Sequence, residues 1–318
     1  MSRRLIVDSD TAGDDTQAIL MAALADSIDL EAVTIVAGNV EFDYEVENAK
    51  YTLQLADHAD DVPVHEGARR PLVKDFEHVD HVHGDGGLGG ELYPDTGIPS
   101  AQQHAVDAIV ETVRGSPGAV SLACIGPLTN IALAIRREPD LNDLLDEVVV
   151  MGGAVNTLGN DTPAAEFNFW VDPDAAKVVL NELDVTLVDW GLTLRHAAFG
   201  ADELEPFEAA NTPYADFFTT ITRHLREFTK ERHGVDETTQ PDSLAMACVL
   251  DPELITEAGT YFVDVDEREG MTRGYSLVDE LGITDGEPRT RVVEAIDEDR
   301  FKRIFSDMLL HGDPERSL

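Results

Sequence analysis

The chain has 318 residues, of which 43% are hydrophobic, and this composition is enough to build a large globular core. It carries 63 Asp and Glu against 23 Lys and Arg, a formal net charge of −40, which excludes favourable contact with the phosphates of nucleic acid. It has no run of about 18 apolar residues, so the sequence predicts no membrane-spanning helix.

Most of the acidic residues are interpreted as a solvated surface that keeps the protein soluble in concentrated salt, so we expect a halophilic protein. The apolar part of the N-terminal segment, residues 1–8, is too short for a signal peptide. Cys124 and Cys248 lie in apolar stretches without metal-ligand spacing, which is typical of buried thiols. These features together predict a cytoplasmic location.

Strand and helix patterns alternate along the first two thirds of the chain. The predicted strands cover residues 5–7, 30–37, 62–64, 119–125, 148–151 and 185–188. The predicted helices cover residues 14–25, 44–59, 101–114, 128–136 and 172–181, the last capped by Asp172 and Pro173. This order predicts an α/β fold with a mostly parallel central sheet flanked by helices on both faces.

The last third is less regular. Helices are predicted for residues 213–230, 243–250 and 297–310, and short strands for 261–263, 272–276 and 290–293. We expect these strands to form a small antiparallel addition near the C-terminus. No composition break divides the chain, so residues 1–318 are predicted to form one domain, with 311–318 as a flexible tail.

A cluster of carboxylates follows the first predicted strand. Asp8, Asp10, Asp14 and Asp15 fall within eight residues, and their mutual repulsion must be offset by a cation or by protonation. A helix N-terminus would account for one or two of them but not for four. Because the side chains offer only oxygen, they favour a hard cation, Ca²⁺ or Mg²⁺.

The ends of the other predicted strands carry small and polar residues. These are Gly38-Asn39, residues 126–130 (GPLTN), Gly152-Gly153 and, a little later, Glu166 to Asn168. Each alone is typical of a turn. Since ligands of open α/β sheets bind beyond the carboxyl ends of the strands, their joint occurrence predicts a site at that edge.

Two other interpretations of the acidic loop fit less well. An EF-hand starting at Asp8 would need Glu at its twelfth position, where the chain has Ile19. The haloacid dehalogenase phosphatases also place DxDx(T/V) after a strand. Here the fifth position is Ala12 and a second acidic pair follows at once.

The motifs in order resemble the inosine-uridine type of nucleoside hydrolase. DSDTAGDD at residues 8–15 is similar to the family's N-terminal DxDxxxDD signature, and HVHGDGGLG at 81–89 is similar to its histidine loop. Further similar segments are 36–39, 126–132, 151–153, 165–168 with 172–173, and Asp242. The resemblance covers about residues 5–252 and implies the family's Rossmann-like core.

The resemblance also implies roles for individual residues. Ca²⁺ would be bound by Asp10, Asp15, Asp242 and the main-chain carbonyl of Ile125. The ribose hydroxyls would be bound by Asp14, Asn39, Glu166 and Asn168, with Asn160 and Met151 nearby. Asp10 would act as general base toward a metal-activated water that hydrolyses the N-glycosidic bond of a ribonucleoside. The resemblance further implies a homo-oligomer, either a dimer or a tetramer.

The chain departs from the family's pattern at the position of the residue that activates the leaving nucleobase. Many members have a histidine just before the last metal aspartate, and here that residue is Pro241. His83 is therefore the first candidate for the group that activates the base, with His224 and His233 as weaker candidates. Trp190 is a candidate for stacking on a base.

The base preference stays open at this point. Leu225 and Thr229 stand where many members carry tyrosines, and Trp170 follows a strand-like segment that favours a core position. Two alternative functions also stay open, a metal-dependent phosphatase-like hydrolase and a non-catalytic nucleoside binder.

Overall fold

The computed structural model describes residues 2–318, except for the side chains of residues 232 and 233. The strands are β1 (Arg3–Ser9), β2 (Ile28–Ile35), β3 (Val64–Glu66), β4 (Val120–Cys124), β5 (Val148–Met151), β6 (Val185–Val188), β7 (Ala198–Gly200), β8 (Glu237–Thr239), β9 (Ile255–Tyr261), β10 (Val263–Val265), β11 (Ser276–Val278) and β12 (Thr290–Ile296).

The α-helices are α1 (Gly13–Leu24), α2 (Phe42–Leu55), α3 (Asp80–His83), α4 (Ala105–Gly115), α5 (Thr129–Arg137), α6 (Leu141–Leu144), α7 (Phe167–Val171), α8 (Pro173–Glu182), α9 (Trp190–His196), α10 (Ala201–Ala209), α11 (Pro213–His233), α12 (Pro241–Leu250) and α13 (Glu298–His311). Asp172 caps α8 by accepting a hydrogen bond from the Ala175 N–H, as the sequence predicts.

The strands within residues 2–318 form an eight-stranded sheet in the order β3-β2-β1-β4-β5-β6-β12-β9. Every neighbouring pair is parallel except β12 with β9. Two small antiparallel pairs, β7-β8 and β10-β11, lie outside this sheet. The predicted fold class, a mostly parallel sheet with a small antiparallel addition, is therefore confirmed.

Helices cover both faces of the sheet because successive side chains of a strand point to opposite faces. In β1, Leu5 and Val7 pack into one apolar cluster together with α1, α12 and α13. Ile6 packs into the other cluster together with α4, α5 and α8. Burial on both faces accounts for the continuous apolar runs of β4, β5 and β6.

The prediction for residues 290–293 was correct in the antiparallel pairing with the strand that ends at Tyr261, but it missed that this pair belongs to the main sheet. β12 joins the main sheet parallel to β6, and β9 pairs with it as the antiparallel edge strand. Val292 and Val293 pack into the clusters on opposite faces of the sheet, which a small exposed ribbon would not provide. The prediction for 272–276 was also shifted, since the chain turns at 272–274 and β11 begins at Ser276.

After α13, the Glu315 carboxylate accepts a hydrogen bond from the Ser27 N–H at 2.9 Å, just before β2 begins. The single domain over 1–318 and the flexible tail over 311–318 stay predictions. Across residues 2–318, none of the helices combines the length and the apolar character needed to cross a bilayer.

Candidate active site

The carboxyl ends of β1, β2, β4 and β5 open toward a cavity of about 610 Å³. Most of the residues predicted for the site line it, namely Asp14, Asn39, His83, Ile125, Met151, Asn160, Glu166, Asn168 and Asp242. The other two, Asp10 and Asp15, are fully buried in the loop after β1 and in the first turn of α1. The topology of the sheet thus brings together segments more than 200 residues apart.

Three carboxylates form the centre of the site. Asp14, Asp15 and Asp242 each offer an oxygen, and these oxygens all lie within 4.8 Å of one another. Asp242 reaches the cluster from the first turn of α12, which packs beside α1. The side chains of Asp15 and Asp242 therefore lie close together, as the sequence predicts, and Asp14 lies beside both.

Asp10 lies next to this cluster with one oxygen fixed and the other unpaired. Its Oδ2 accepts a hydrogen bond from the Asn39 N–H at 3.0 Å, whereas Oδ1 has no hydrogen-bond partner among residues 2–318. A Cβ at Gly38 would lie 2.0 Å from Oδ2, so only glycine lets the strand end approach this carboxylate. A buried, unpaired carboxylate oxygen is costly unless something outside the chain binds it.

Asn39 connects the two buried aspartates. Its side-chain amide donates to the Asp10 carbonyl at 3.2 Å and to Asp15 Oδ2 at 3.1 Å. Ser9 Oγ donates to the other Asp15 oxygen at 2.7 Å. The network fixes the Asp15 carboxylate before any ligand is bound.

Asp8, the first aspartate of the loop, faces a different environment. Its Oδ1 accepts hydrogen bonds from Thr34 Oγ1 at 2.5 Å and from Asn130 Nδ2 at 2.8 Å. Asn130 also donates to the Ile35 carbonyl at 3.0 Å. Asp8 therefore joins the ends of β1, β2 and α5, while the later aspartates of the loop face the cavity or lie directly beneath it.

The electrostatics show how strongly these carboxylates repel one another. Burial raises the pKa of Asp242 well above its ordinary value, and the charges of Asp14, Asp15 and Asp10 raise it further. Burial, followed by the charge of Asp14, raises the pKa of Asp15 to about 7. A divalent cation would relieve this repulsion, which makes the cluster a candidate metal centre.

Glu166 and Asn168 face the cavity from the start of α7. Glu166 caps the helix, accepting from the N–H groups of Asn168 at 2.8 Å and Phe169 at 3.2 Å, and also from that of Gly153 at 2.8 Å. Burial raises the pKa of Glu166 to about 7. Asn168 Nδ2 donates to the Ile125 carbonyl at 3.1 Å, which places this amide beside the predicted main-chain ligand.

Met151 and Asn160 lie around the same segment. The Met151 carbonyl accepts from Asn168 Nδ2 at 3.3 Å, and Asn160 Oδ1 accepts from the Phe167 N–H at 2.9 Å. Both residues therefore help to hold the segment that carries Glu166 and Asn168.

His83 lies at the end of α3, with Nδ1 4.0 Å from Asp14 Oδ1. Burial lowers the pKa of His83, and the charge of Asp14 partly opposes this effect. Among the weaker histidine candidates, His224 pairs through Nε2 with the His81 carbonyl at 3.3 Å. The side chain of His233 lies outside the described residues.

The residues assigned to the nucleobase region also face the cavity. Pro241, Trp190, Leu225 and Thr229 all line it. Trp170 instead packs beneath the guanidinium of Arg273, which lies 4.3 Å from the ring centroid.

The sequence reasoning gave no role to several residues of the cavity wall, among them His81, Asp161, Leu194, Phe228, Glu237 and Thr239. Glu237 and Thr239 alternate in β8 with the buried Thr238, and such alternation indicates a strand with one face turned toward the cavity. That strand is only three residues long, too short for the pattern to stand out.

Comparison with known proteins agrees with this architecture, an open parallel sheet whose carboxyl edge carries an acidic cavity. The family model for inosine-uridine preferring nucleoside hydrolases matches residues 5–303. The chain therefore belongs to the inosine-uridine preferring nucleoside hydrolase family. It is accordingly an N-glycosyl hydrolase of ribonucleosides, and the predicted resemblance and enzyme class are confirmed.

Individual relatives cover nearly the whole chain. The pyrimidine-specific ribonucleoside hydrolase RihB of Escherichia coli O157:H7 is 35% identical over 300 residues, 94% of each protein. The plant nucleoside hydrolase PpNRh1 superposes with a TM-score of 0.91 at 28% identity, covering 98% of this chain and 100% of the other. The purine-preferring ribonucleoside hydrolase of Gardnerella vaginalis gives 0.89 at 30% identity, covering 96% and 98%.

Proposed function

We propose that this protein performs calcium-dependent hydrolysis of the N-glycosidic bond of ribonucleosides, releasing a free base and ribose. The observation that carries this proposal is that oxygens of Asp14, Asp15 and Asp242 lie within 4.8 Å of one another at a cavity of about 610 Å³. The cytoplasmic location, the halophilic character and the homo-oligomer stay predictions.

The donor set fits a calcium ion. Asp10, Asp15, Asp242 and the Ile125 carbonyl would hold it, with Asp14 within reach, and all of them offer oxygen. Ca²⁺ accepts about 6–8 oxygen ligands in flexible geometry, whereas Mg²⁺ demands a near-ideal octahedron and keeps several waters. When bound, the ion would act as a Lewis acid that makes a water more acidic.

We assign Asp10 as the general base. Its unpaired Oδ1 is the oxygen free to accept a proton, because Asn39 occupies Oδ2. Burial, followed by the charges of Asp15 and Glu45, raises the pKa of Asp10 well above its ordinary value. A carboxylate with a raised pKa holds a proton more strongly, so it is a better base toward a water molecule than an ordinary aspartate.

The ribose would be bound by Asp14, Asn39, Glu166 and Asn168. Breaking a C–N glycosidic bond places positive charge on the sugar, as in glycoside hydrolysis. Carboxylate and amide oxygens held in fixed positions stabilise that charge as it develops. Glu166 is held by three backbone N–H groups, so it needs little reorganisation to do this.

His83 is our candidate for hydrogen bonding to the leaving base. Its lowered pKa favours the neutral imidazole, which donates from one ring nitrogen only. The Asp14 carboxylate lies 4.0 Å from Nδ1, and its negative charge favours the protonated imidazolium of His83.

A panel of nucleosides, assayed for reducing sugar in molar salt, tests the proposal. We expect ribose release from at least one common ribonucleoside and no phosphate release from simple phosphomonoesters. Phosphate release without free base would favour the phosphatase-like alternative. Nucleoside binding without any sugar at high enzyme concentration would favour the non-catalytic binder.

Replacing Pro241 with histidine should change the base preference more than the ribose contacts. Pro241 lines the cavity at the start of α12, directly before Asp242. A histidine there would offer a proton donor to the leaving base, so the ratio of kcat/KM for inosine and uridine should change by at least about tenfold, a part of the roughly 10²–10⁴-fold that general acid catalysis supplies. An unchanged ratio would count against this placement of the base.

A further inference from the structure

Arg273 is a buried cation outside the predicted site. It lies in the loop between β10 and β11, and only 7% of it is exposed. Its guanidinium donates to the carbonyls of Trp170 at 2.9 Å, Val171 at 3.2 Å and Asp75 at 3.0 Å. Only arginine carries donors in a planar fork that can serve several carbonyls at once.

Two of these carbonyls belong to the segment that carries the predicted ribose ligands. Trp170 and Val171 end α7, a helix of five residues that begins directly after Glu166. A helix of this length is not stable by itself, and the carbonyls of its last turn have no partner within the helix. Arg273 supplies that partner and so fixes α7 from its C-terminal end.

The third carbonyl belongs to the segment that leads to His83. From Asp75 the chain continues to His78, whose Nδ1 lies 2.9 Å from the Gly38 carbonyl. The next N–H, that of Val79, donates to the Asn39 carbonyl at 2.8 Å. One guanidinium therefore connects the helix that follows Glu166 with residues 75–83, which we call the histidine segment. Both segments contribute residues to the cavity wall.

The surrounding loop holds the same region at further points. Ser276 Oγ accepts a hydrogen bond from the Ala154 N–H at 3.1 Å, just after β5. Gly274 has φ +78°, and a Cβ there would lie 2.8 Å from the Trp170 Cα. The loop between β10 and β11 therefore packs closely against residues 166–171, which we call the ribose segment.

We propose that Arg273 is a positioning residue for ribose binding, because its fork holds the ribose segment and the histidine segment at a fixed separation. The inference rests on the proposed function for the ribose roles of Glu166 and Asn168. Arg273 touches none of the aspartates of the metal cluster in the described contacts, so its removal should weaken ribose binding and leave metal binding unchanged.

Arg273→Lys tests this proposal, with Arg268→Lys as the matched control. The lysine keeps the charge but loses the fork. Arg268 lies in the same loop, its side chain is 80% exposed, and it pairs with Asp266. We expect kcat/KM to fall by about 10²-fold in Arg273→Lys, since misplacing a binding segment by about 1 Å has such an effect. The Arg268→Lys variant should match the parent.

Calorimetry separates this role from a general structural one. Titrated with Ca²⁺ alone, Arg273→Lys should bind like the parent, and titrated with D-ribose in the presence of Ca²⁺ it should bind more weakly. Arg273→Ala with added guanidinium ion at low, non-denaturing concentration should recover part of the lost activity, whereas sodium should not. Unchanged kcat/KM, or equal losses of calcium and ribose affinity, would overturn the proposal.

The ribose titration also separates this inference from the proposed function. If the parent binds ribose but releases none from nucleosides, the proposed hydrolysis fails, and the comparison of ribose affinities still decides the role of Arg273. If the parent is active and Arg273→Lys is equally active and binds ribose equally well, only the inference about Arg273 fails.

Discussion

Asp10→Asn is expected to lower nucleoside turnover by about 10²–10⁴-fold, the range that general base catalysis supplies. The amide is nearly the same size, and its oxygen can still accept the hydrogen bond from the Asn39 N–H, so the fold should be retained. It cannot accept a proton from water, and it removes one charge from the candidate metal centre. Initial rates of ribose release in molar salt measure the effect.

Asp29→Asn serves as the control, since Asp29 lies in β2 and is exposed. It makes the same chemical change away from the cavity and should leave turnover unchanged. Thermal unfolding of both variants checks that neither loses the fold. Turnover of Asp10→Asn within about tenfold of the parent would contradict the assignment of Asp10 as the base.

Removing the metal is expected to lower turnover on the order of 10³-fold or more, because Lewis-acid activation of water contributes several kcal/mol to such reactions. It should also lower the melting temperature by several degrees. Without a cation, Asp14, Asp15 and Asp242 repel one another in a buried site. A ligand at a hundredfold excess over its Kd stabilises the folded state by about 2.7 kcal/mol.

Chelation with EGTA, followed by addition of single ions, measures both effects. We expect Ca²⁺ to restore ribose release and the melting temperature, and Mg²⁺ to restore them less well. The Asp242→Asn variant should need far more Ca²⁺ for the same recovery, while Asp29→Asn should behave as the parent. Full activity in EGTA after dialysis would rule out a catalytic metal in this cavity.

The chain carries an unusual acidic excess, yet the candidate site contains only a few of its 63 acidic residues. Those few are buried without a cationic partner and lie together at one cavity, whereas Asp8 is equally buried but is held by Thr34 and Asn130. Most of the carboxylates paired with Arg or Lys lie at or near the surface, as Glu91 with Arg223 and Glu203 with Lys302 do. Asp10, Asp15 and Asp242 are buried with carboxylates around them, an arrangement that a bound cation or protonation of the carboxyl groups must stabilise.

Much of the fold followed from local patterns. Buried parallel strands are continuous apolar runs, so residues 148–151 and 185–188 could be assigned as strands without tertiary information. Amphipathic helices could be assigned from their 3.6-residue period. The edge of the sheet where the cavity lies could also be predicted, because ligands of open α/β sheets lie at the carboxyl ends of strands. The acidic loop after β1 and the Gly38-Asn39 pair after β2 were visible for that reason.

What the sequence by itself determined is therefore the class of fold, the edge of the sheet where the cavity and the candidate site lie, and the family. Only the tertiary structure decided which aspartates of the first loop meet Asp242, because Asp8 and Asp14 look alike in the sequence and differ only in what surrounds them. It also decided that β12 belongs to the main sheet and that Arg273 reaches two cavity segments. The physical reason is the same in each case: pairing partners far apart in the chain leave no local pattern, since they are selected by burial and hydrogen bonding once the core has formed.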